Sequence, residues 1–483
     1  MTKSPTLKFA KSGALLSFGI GLTSALTFLK NVLIARLVTV EDFGVVAIFA
    51  IIMTAVEASS YIGLDRFIIQ SPDGDKPEVL ATSHTLQVTR GLLGSLVIFC
   101  AAPYIADFFN KPDIAPSLQI LASVPFIRSL SHLDMARFQR EMQYLPSVIV
   151  DVGSQVISII TVIIASNFYD DYRIAIFSMT IQILSYTAIS HIVAKKPYRW
   201  QFNKPVMMRL LQYGWPLWIN GIMMLSVVEG DRTIIGASFS IKDLSLYTAS
   251  ISLTLIPTLL ITQITQRLYL PILAKKQDHR DDFVKDAAVA TEFSILSGVF
   301  VGIFAAIACP ALIGVLYGDE YNDARNIIVI IALVCSARLF KGGATSIALA
   351  LGYTKSIVIS NMVKALSIIL AIVLIWADYG IYAVLLGSVI CEILATITAF
   401  ILIKLKLDIK IPNLIPSTII ASLIVLSLVY LNEIYLQTLN QWLQIIIGFV
   451  IPTITCIILT CALPALRRVI HNVYKNSSLY RKT

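Results

Sequence analysis

Apolar residues in this chain come in long runs separated by short polar turns, and not in the alternation of a half-buried strand. A helix crossing a bilayer needs about 20 mostly apolar residues at about 1.5 Å each. That rule predicts spans near 12–35, 43–63, 84–108, 116–135, 146–167 and 174–194. A second set follows near 210–237, 244–269, 291–317, 326–350, 356–376 and 380–403, with a last pair near 415–431 and 441–463. The fourth run is the least apolar, because it carries Arg128 and Asp134. The pattern predicts an all-α integral membrane protein of about 14 transmembrane helices.

The polar turns orient these helices. Of 38 Lys and Arg, only five (Arg36, Lys111, Arg173, Lys242 and Arg325) fall on the side opposite the termini, and most of the rest share the side of the termini. Basic residues are retained on the cytoplasmic side, so both termini are expected there. An odd number of spans would scramble this alternation. The opposite connections are short and acidic, as in Glu41-Asp42, Asp170-Asp171 and Asp319-Glu320-Tyr321-Asn322-Asp323. No connection is long enough for a folded extramembrane domain.

Composition agrees and removes alternatives. Hydrophobic residues make up 57 % and charged residues 14 %, with a mean hydropathy of +0.80. Soluble domains carry about 25 % charged residues, so this chain lacks the polar shell that water requires. The formal charge of +9 arises from the turns and not from a basic nucleic-acid surface. The six cysteines (100, 309, 335, 391, 456 and 461) all sit in apolar runs, without CxxC spacing or clustered His. They read as small core residues, and no metal site is predicted. The basic start, Met1 to Lys11, precedes a first helix and not a cleaved signal. Asp73-Gly74-Asp75 reads as a solvated turn, Gly298 with Gly302 as a helix-packing GxxxG, and the triplet Asn476-Ser477-Ser478 as a cytoplasmic segment.

The first and seventh spans repeat at a constant offset of 201 residues. Lys11-Ser12-Gly13 matches Gln212-Tyr213-Gly214, and Ala35 through Asp42 (ARLVTVED) matches Gly236 through Asp243 (GASFSIKD). Six spans separate the copies, so the halves have one orientation. Parallel repeats of this kind build transporters with a site between the halves near mid-bilayer.

Charges within the spans are costly, at about 2.5–3.5 kcal/mol each on insertion scales, so they face cavities or partners. The bases are Lys30, Arg90, Arg128, Arg232, Arg338, Lys341 and Lys364; the acids are Glu57, Asp134, Asp151, Glu229, Asp231, Glu292 and Glu392. Thr23, Thr27 and Lys30 share one helix face, as do Arg338, Lys341 and Thr345. Two cations three residues apart repel, so Arg338 and Lys341 need an anionic ligand or carboxylates on a neighbouring helix. Glu229 can pair with Arg232, and Arg128 with Asp134. Lys30, Arg90 and Lys364 can alternatively snorkel to an interface.

Three stretches carry a family resemblance: Ala35 through Gly44 (ARLVTVEDFG), Phe138 through Met142 (FQREM), and Asp231 through Gly236 (DRTIIG) followed by Tyr247 and Leu270-Pro271. The chain resembles bacterial polysaccharide-transport flippases of the multidrug/oligosaccharidyl-lipid/polysaccharide exporter superfamily, in the colanic-acid and O-antigen branch. It departs from the family pattern at Leu244-Ser245-Leu246-Tyr247, where a Gly-Leu-Tyr run is usual.

The resemblance implies two six-helix lobes in parallel pseudo-repeat, residues 1–200 and 201–406. Residues 407–483 add two helices and a basic tail. It implies alternating access in the bacterial inner membrane, with undecaprenyl-diphosphate-linked oligosaccharide as substrate, membrane lipid around it, and polysaccharide polymerase and chain-length proteins as partners. Such a protein is a transporter and not an enzyme, and it uses no cofactor.

Diphosphate oxygens suit Lys and Arg, so Lys30, Arg90, Arg128, Arg232, Arg338 and Lys341 are expected to include the substrate contacts. With no nucleotide-binding motif, a proton or sodium gradient is expected to drive transport. Glu57, Asp151, Glu229 and Asp231 are then the ion-coupling candidates. A polymerase or glycosyltransferase would need a large outward catalytic loop, which is missing. A drug/cation antiporter would favour an acidic and aromatic cavity, and a scaffold for polymer assembly is a further reading.

Overall fold

A computed structural model describes residues 5–406, 414–432, 434 and 439–468. The expectations for the first four residues, the tail beyond 468 and Asn476-Ser477-Ser478 lie outside the described residues. Every regular element among them is helical, and eleven helices are long and apolar enough to cross a membrane.

The chain divides into two compact units, Met1–Ser245 and Leu246–Thr483. The first contains α1 (Pro5–Leu37), α2 (Val40–Ser60), α3 (Leu64–Gln70), α4 (Pro77–Phe108), α5 (Ala115–Leu121), α6 (Ser123–Ser129), α7 (Asp134–Arg140), α8 (Leu145–Ala165), α9 (Arg173–Val193) and α10 (Lys204–Ser238). The next helix, α11 (Ile241–Ala274), begins there and has its body in the second unit. That unit continues with α12 (Arg280–Ile307), α13 (Cys309–Tyr317), α14 (Arg325–Phe340), α15 (Gly342–Ala350), α16 (Lys355–Trp376), α17 (Ile381–Lys406), α18 (Leu414–Leu431) and α19 (Gln441–Ala462).

Three predicted spans differ from simple apolar helices. The run 116–135 is broken into α5, α6 and α7. Pro125 has no N–H and its ring collides with the carbonyl four residues back, that of Leu121, where α5 ends. Neighbouring side chains serve the interrupted backbone. Gln87 Nε2 donates to the carbonyls of Ser129 at 2.7 Å and Ser131 at 3.0 Å. His84 Nε2 accepts the Leu133 N–H at 3.1 Å, and Ser190 Oγ accepts that of His132 at 3.0 Å. The run 210–237 lies in one 35-residue helix, α10, whose apolar character is diluted by Gln212, Asn220 and the charges at Glu229–Arg232. The run 415–431 gives a shorter apolar helix, Ser417–Leu431.

The repeated turn chemistry has a physical basis. Thr39 Oγ1 accepts the Asp42 N–H at 3.1 Å and donates to Asp42 Oδ2 at 2.7 Å, which caps α2. At the offset of 201, Ser240 Oγ accepts the Asp243 N–H at 3.0 Å and donates to Asp243 Oδ2 at 2.7 Å, which caps α11. Both are reciprocal N-caps that satisfy orphan donors and place a carboxylate at the positive helix end. Gly44 sits where a Cβ would collide with the backbone carbonyl of Ile241, so the two capped turns pack against each other within the first unit.

Arg140 explains the FQREM stretch. Its guanidinium donates to the carbonyls of Ile68 at 3.0 Å, Pro72 at 3.1 Å and Ser71, gathering the open end of α3. The following Asp73-Gly74-Asp75 turn is held by Arg209, which makes two 2.9 Å bonds to the Asp73 carboxylate. Those bonds and one from Ser71 Oγ hold the Asp73 carboxyl well below its usual range.

The cysteines among the described residues are all free thiols. Histidine is another matter, because three residues scattered in sequence meet in the first unit. The His84 and His132 rings lie 4.9 Å apart, and His132 and His191 lie 5.5 Å apart, with Tyr198 against each of the three. Among the described residues no group of His, Cys, Asp or Glu has the geometry to hold a metal ion. In the second unit Gly298 and Gly302 let α12 approach Phe340 and Ser336 of α14, as a packing motif should.

Candidate functional site

The first unit has a partly open cavity of 180 Å³. Its polar lining comes from five helices: Lys30 of α1, Glu57 and Ser60 of α2, Arg90 of α4, Arg128 of α6 and Gln182 of α9. Met53, Val56, Val124, Pro125, Met179 and Ile183 supply apolar wall. Arg128 reaches the cavity because Pro125 breaks the chain one turn earlier, and Gly91 of α4 lets α6 approach, with Ser129 and the Pro125 carbonyl filling the space of a Cβ.

The three cations of this cavity are held differently. Arg128 makes an ion pair with Glu57 at 2.9 Å and lies over the Tyr186 ring, 5.3 Å from its centroid. Lys30 is 7 % exposed, and its ammonium donates to Gln182 Oε1 at 2.7 Å. Arg90 donates to the Ser60 carbonyl at 3.3 Å. Among the described residues, no carboxylate lies in ion-pair distance of Lys30 or Arg90. Among the described residues, the hydrogen bonds of these two cations go to neutral oxygens, which leaves the cavity suited to an anion. Lys30 does not snorkel, since its charge is buried beside Gln182.

Arg128 does not pair with Asp134. Six residues apart on a helix, they would point about 120° away from each other, and the chain also turns between α6 and α7. Asp134 instead pairs with Arg137 at 2.5 Å and accepts the backbone N–H groups of Lys195 at 2.7 Å and Lys196 at 3.2 Å.

A second charged cluster lies in the second unit. Glu392 of α17 is 1 % exposed and sits 3.3 Å from both Arg338 and Lys341. The carboxylate on a neighbouring helix is thus what offsets the repulsion of these two cations. Lys341 Nζ also donates to Asn361 Oδ1 at 3.4 Å. Lys364 is buried with Nζ donating to Ser388 Oγ at 2.7 Å and Ser367 Oγ at 3.1 Å, so it does not snorkel either.

The remaining candidates divide in the same way. Glu229 and Arg232 form a buried pair at 2.9 Å on α10, as their spacing suggests. Glu57 and Glu229 are ion-paired and so are not isolated buried acids. Asp151 is exposed on α8 and has no ion pair among the described residues. Glu292 accepts the N–H groups of Ala465 and Leu466 at 2.9 Å, a structural cap on the segment after α19. Gln182 went unforeseen because an amide carries no charge to mark it inside an apolar run.

A family model described as "Polysaccharide biosynthesis protein" matches residues 33–326. The chain is 22 % identical over 419 residues to "Lipopolysaccharide biosynthesis protein WzxC" of Escherichia coli (strain K12), spanning 82 % of this chain and 80 % of that one. Among solved structures, "Lipid II flippase MurJ, inward closed conformation" superimposes with a TM-score of 0.72 at 16 % identity, covering 93 % of this chain and 99 % of that one. The inward-facing conformation of a multidrug resistance MATE family transporter of the MOP superfamily gives 0.67 at 12 % identity, covering 80 % and 94 %. At these identities the superpositions show the fold alone, that of a multi-pass helical protein. With the family's model covering more than half of its length, the chain belongs to the polysaccharide biosynthesis protein family.

Proposed function

We propose that this protein is a flippase that carries undecaprenyl-diphosphate-linked oligosaccharide from the cytoplasmic to the periplasmic leaflet of the bacterial inner membrane. The observation that carries this reading is the cavity lined by Lys30 and Arg90, neither of which has an ion-paired carboxylate among the described residues. A lipid-linked diphosphate needs such a lining for its head while its tail stays in the bilayer. The family, the WzxC relative and the fold shared with a lipid II flippase all favour the same class of cargo.

Lys30 and Arg90 make the first diphosphate contacts. Arg128, Arg232, Arg338 and Lys341 each hold a carboxylate, so they reach substrate only by giving up that pair. Transport proceeds by alternating access between two six-helix lobes of a 14-span protein, with both termini cytoplasmic, as the distribution of basic residues favours. A proton or sodium gradient drives it. Of Glu57, Asp151, Glu229 and Asp231, Asp151 is the best placed to exchange a proton, because Glu57 and Glu229 already serve Arg128 and Arg232. Polymerase and chain-length proteins would take over the product on the far leaflet.

The antiporter reading loses ground on the same geometry, because a cationic drug would meet Lys30 and Arg90 while the lining carboxylate Glu57 is occupied by Arg128. Lipid-linked oligosaccharide, resolved by leaflet in a deletion strain, tests the proposal. Accumulation on the cytoplasmic leaflet with loss of surface polymer is the expected result, and the accumulated sugar identifies the substrate. Normal delivery to the periplasmic leaflet without polymerisation would sink the flippase reading in favour of an enzyme or scaffold. Raised drug sensitivity without accumulation would favour antiport.

A further inference from the structure

Behind Lys30, two glutamines form a chain whose hydrogen bonds run in one direction only. An ammonium has donors and no acceptor, so the end of Gln182 that meets it must be Oε1, at 2.7 Å. That orientation turns Gln182 Nε2 toward Gln155, where it donates to Oε1 at 2.6 Å. Gln155 is buried, 1 % exposed, and its own Nε2 is left as a buried donor without a hydrogen-bond partner among the described residues. The charge on Lys30 thus fixes both amides and strands one donor two side chains away, an arrangement that is destabilising in a buried site.

Turning both amides over replaces the stranded donor with a carbonyl oxygen, a group more easily left unpaired in a buried site, because Gln155 Nε2 would then donate to Gln182 Oε1. Gln182 Nε2 would point into the cavity it lines. While Lys30 alone faces it, two donors would confront each other and the turn is forbidden. An anion oxygen lying between Lys30 and Gln182 removes that conflict and gains a second donor. Ser158 Oγ, 3.3 Å from Gln182 Oε1 and 2.8 Å from Ser178 Oγ, serves either orientation, since a hydroxyl both donates and accepts.

We propose that Gln182 is a positioning residue for the lipid diphosphate: its carbonyl holds Lys30 until the anion arrives, and its amide turns over with Gln155 to donate to the bound phosphate oxygen. The inference rests on the diphosphate reading of the cavity. It assigns to an uncharged residue of α9 a share in distinguishing a diphosphate, with oxygens enough for both donors, from a weaker acceptor.

The experiment is binding of farnesyl diphosphate to the purified full-length protein in detergent, with thermal unfolding measured on the same samples. Gln182→Glu keeps the shape and pairs with Lys30 but cannot turn a donor toward the anion. It is expected to weaken binding at least tenfold while the melting temperature stays level or rises. Gln182→Met, which neither holds Lys30 nor donates, is expected to weaken binding several-fold. Lys30→Met is expected to weaken it at least tenfold. If Lys30→Met loses binding while both Gln182 variants bind like the parent, or lose binding only in step with their melting temperature, the role of Gln182 is overturned and the anion site stands. If Lys30→Met itself binds like the parent, the anion reading falls and this inference with it.

Discussion

The two charged clusters have the same ingredients and opposite construction. Each gathers three cations and one carboxylate: Lys30, Arg90, Arg128 and Glu57 in the first unit, and Arg338, Lys341, Lys364 and Glu392 in the second. In the first, the carboxylate is 54 % exposed and is spent on one arginine, so two cations remain turned to a cavity. In the second, the carboxylate is 1 % exposed and lies between two cations at equal 3.3 Å distances, while serine hydroxyls hold the third. Charge count alone does not make an anion site. What separates the two is where the acid sits: at the rim of an open space it leaves cations available, and in the centre of a packed cluster it binds them into the framework.

This contrast is most easily broken at Glu392. Glu392→Gln leaves Arg338 and Lys341 without a counter-charge, and removing one partner of a buried pair costs about 3–5 kcal/mol. The expected result is a sharp drop in folded protein recovered from membranes and a lowered melting temperature. Unchanged stability would mean that the second cluster is not a framework element.

A companion variant sharpens the same point. Arg338→Met with Lys341→Met alone strands Glu392 and should eliminate export together with folding. Adding Glu392→Leu replaces the whole pair system with apolar groups, which is often neutral in stability. The triple variant is expected to recover both folded protein and polymer export. Recovery of folding without export would show that Arg338 and Lys341 touch the substrate.

In the first cluster the expected order is reversed, with function lost and stability kept. Lys30→Met and Arg90→Met each remove a charge-assisted contact worth about 1.5–3 kcal/mol, so lipid-diphosphate affinity should fall by roughly 10–100-fold. Removing a buried charge that has no carboxylate partner should leave the melting temperature level or higher. Losses in stability rather than affinity would make these two cations structural.

The smallest effect belongs to Glu57→Gln. The pair with Arg128 is half-exposed, so its contribution to stability is about 0–1 kcal/mol. Freed from Glu57, Arg128 becomes a third available cation, and diphosphate binding is expected to tighten by a few-fold while turnover slows because release is slower. Weaker binding in this variant would contradict the placement of Glu57 as a competitor of the substrate.

Much of this was legible in the sequence because the bilayer imposes a simple rule on length and polarity. The apolar runs, the repeat at offset 201 and the position of nearly every charged residue within a helix all follow from local composition. The Thr39/Asp42 and Ser240/Asp243 caps fall at matching positions of that repeat, because capping acts over three residues. Partner choice was not. Arg128 has Asp134 as a neighbour in sequence and Glu57 as its partner in space, 71 positions away. His84, His132 and His191 looked unrelated in the sequence and share one aromatic cluster.

The sequence by itself determined that this is a helical membrane protein, with cations and acids buried in roughly equal number and a repeated turn. Those properties are set by residue chemistry against a bilayer, one segment at a time. Only the tertiary structure decided which cations meet a carboxylate and which hydrogen-bond to neutral oxygens. That outcome depends on contacts of a few ångströms between helices far apart in the chain: Pro125 breaking a span so that Arg128 meets Glu57, and α9 bringing the neutral Gln182 to Lys30. Electrostatic energy varies steeply over such distances, and a one-dimensional pattern of charges does not contain them.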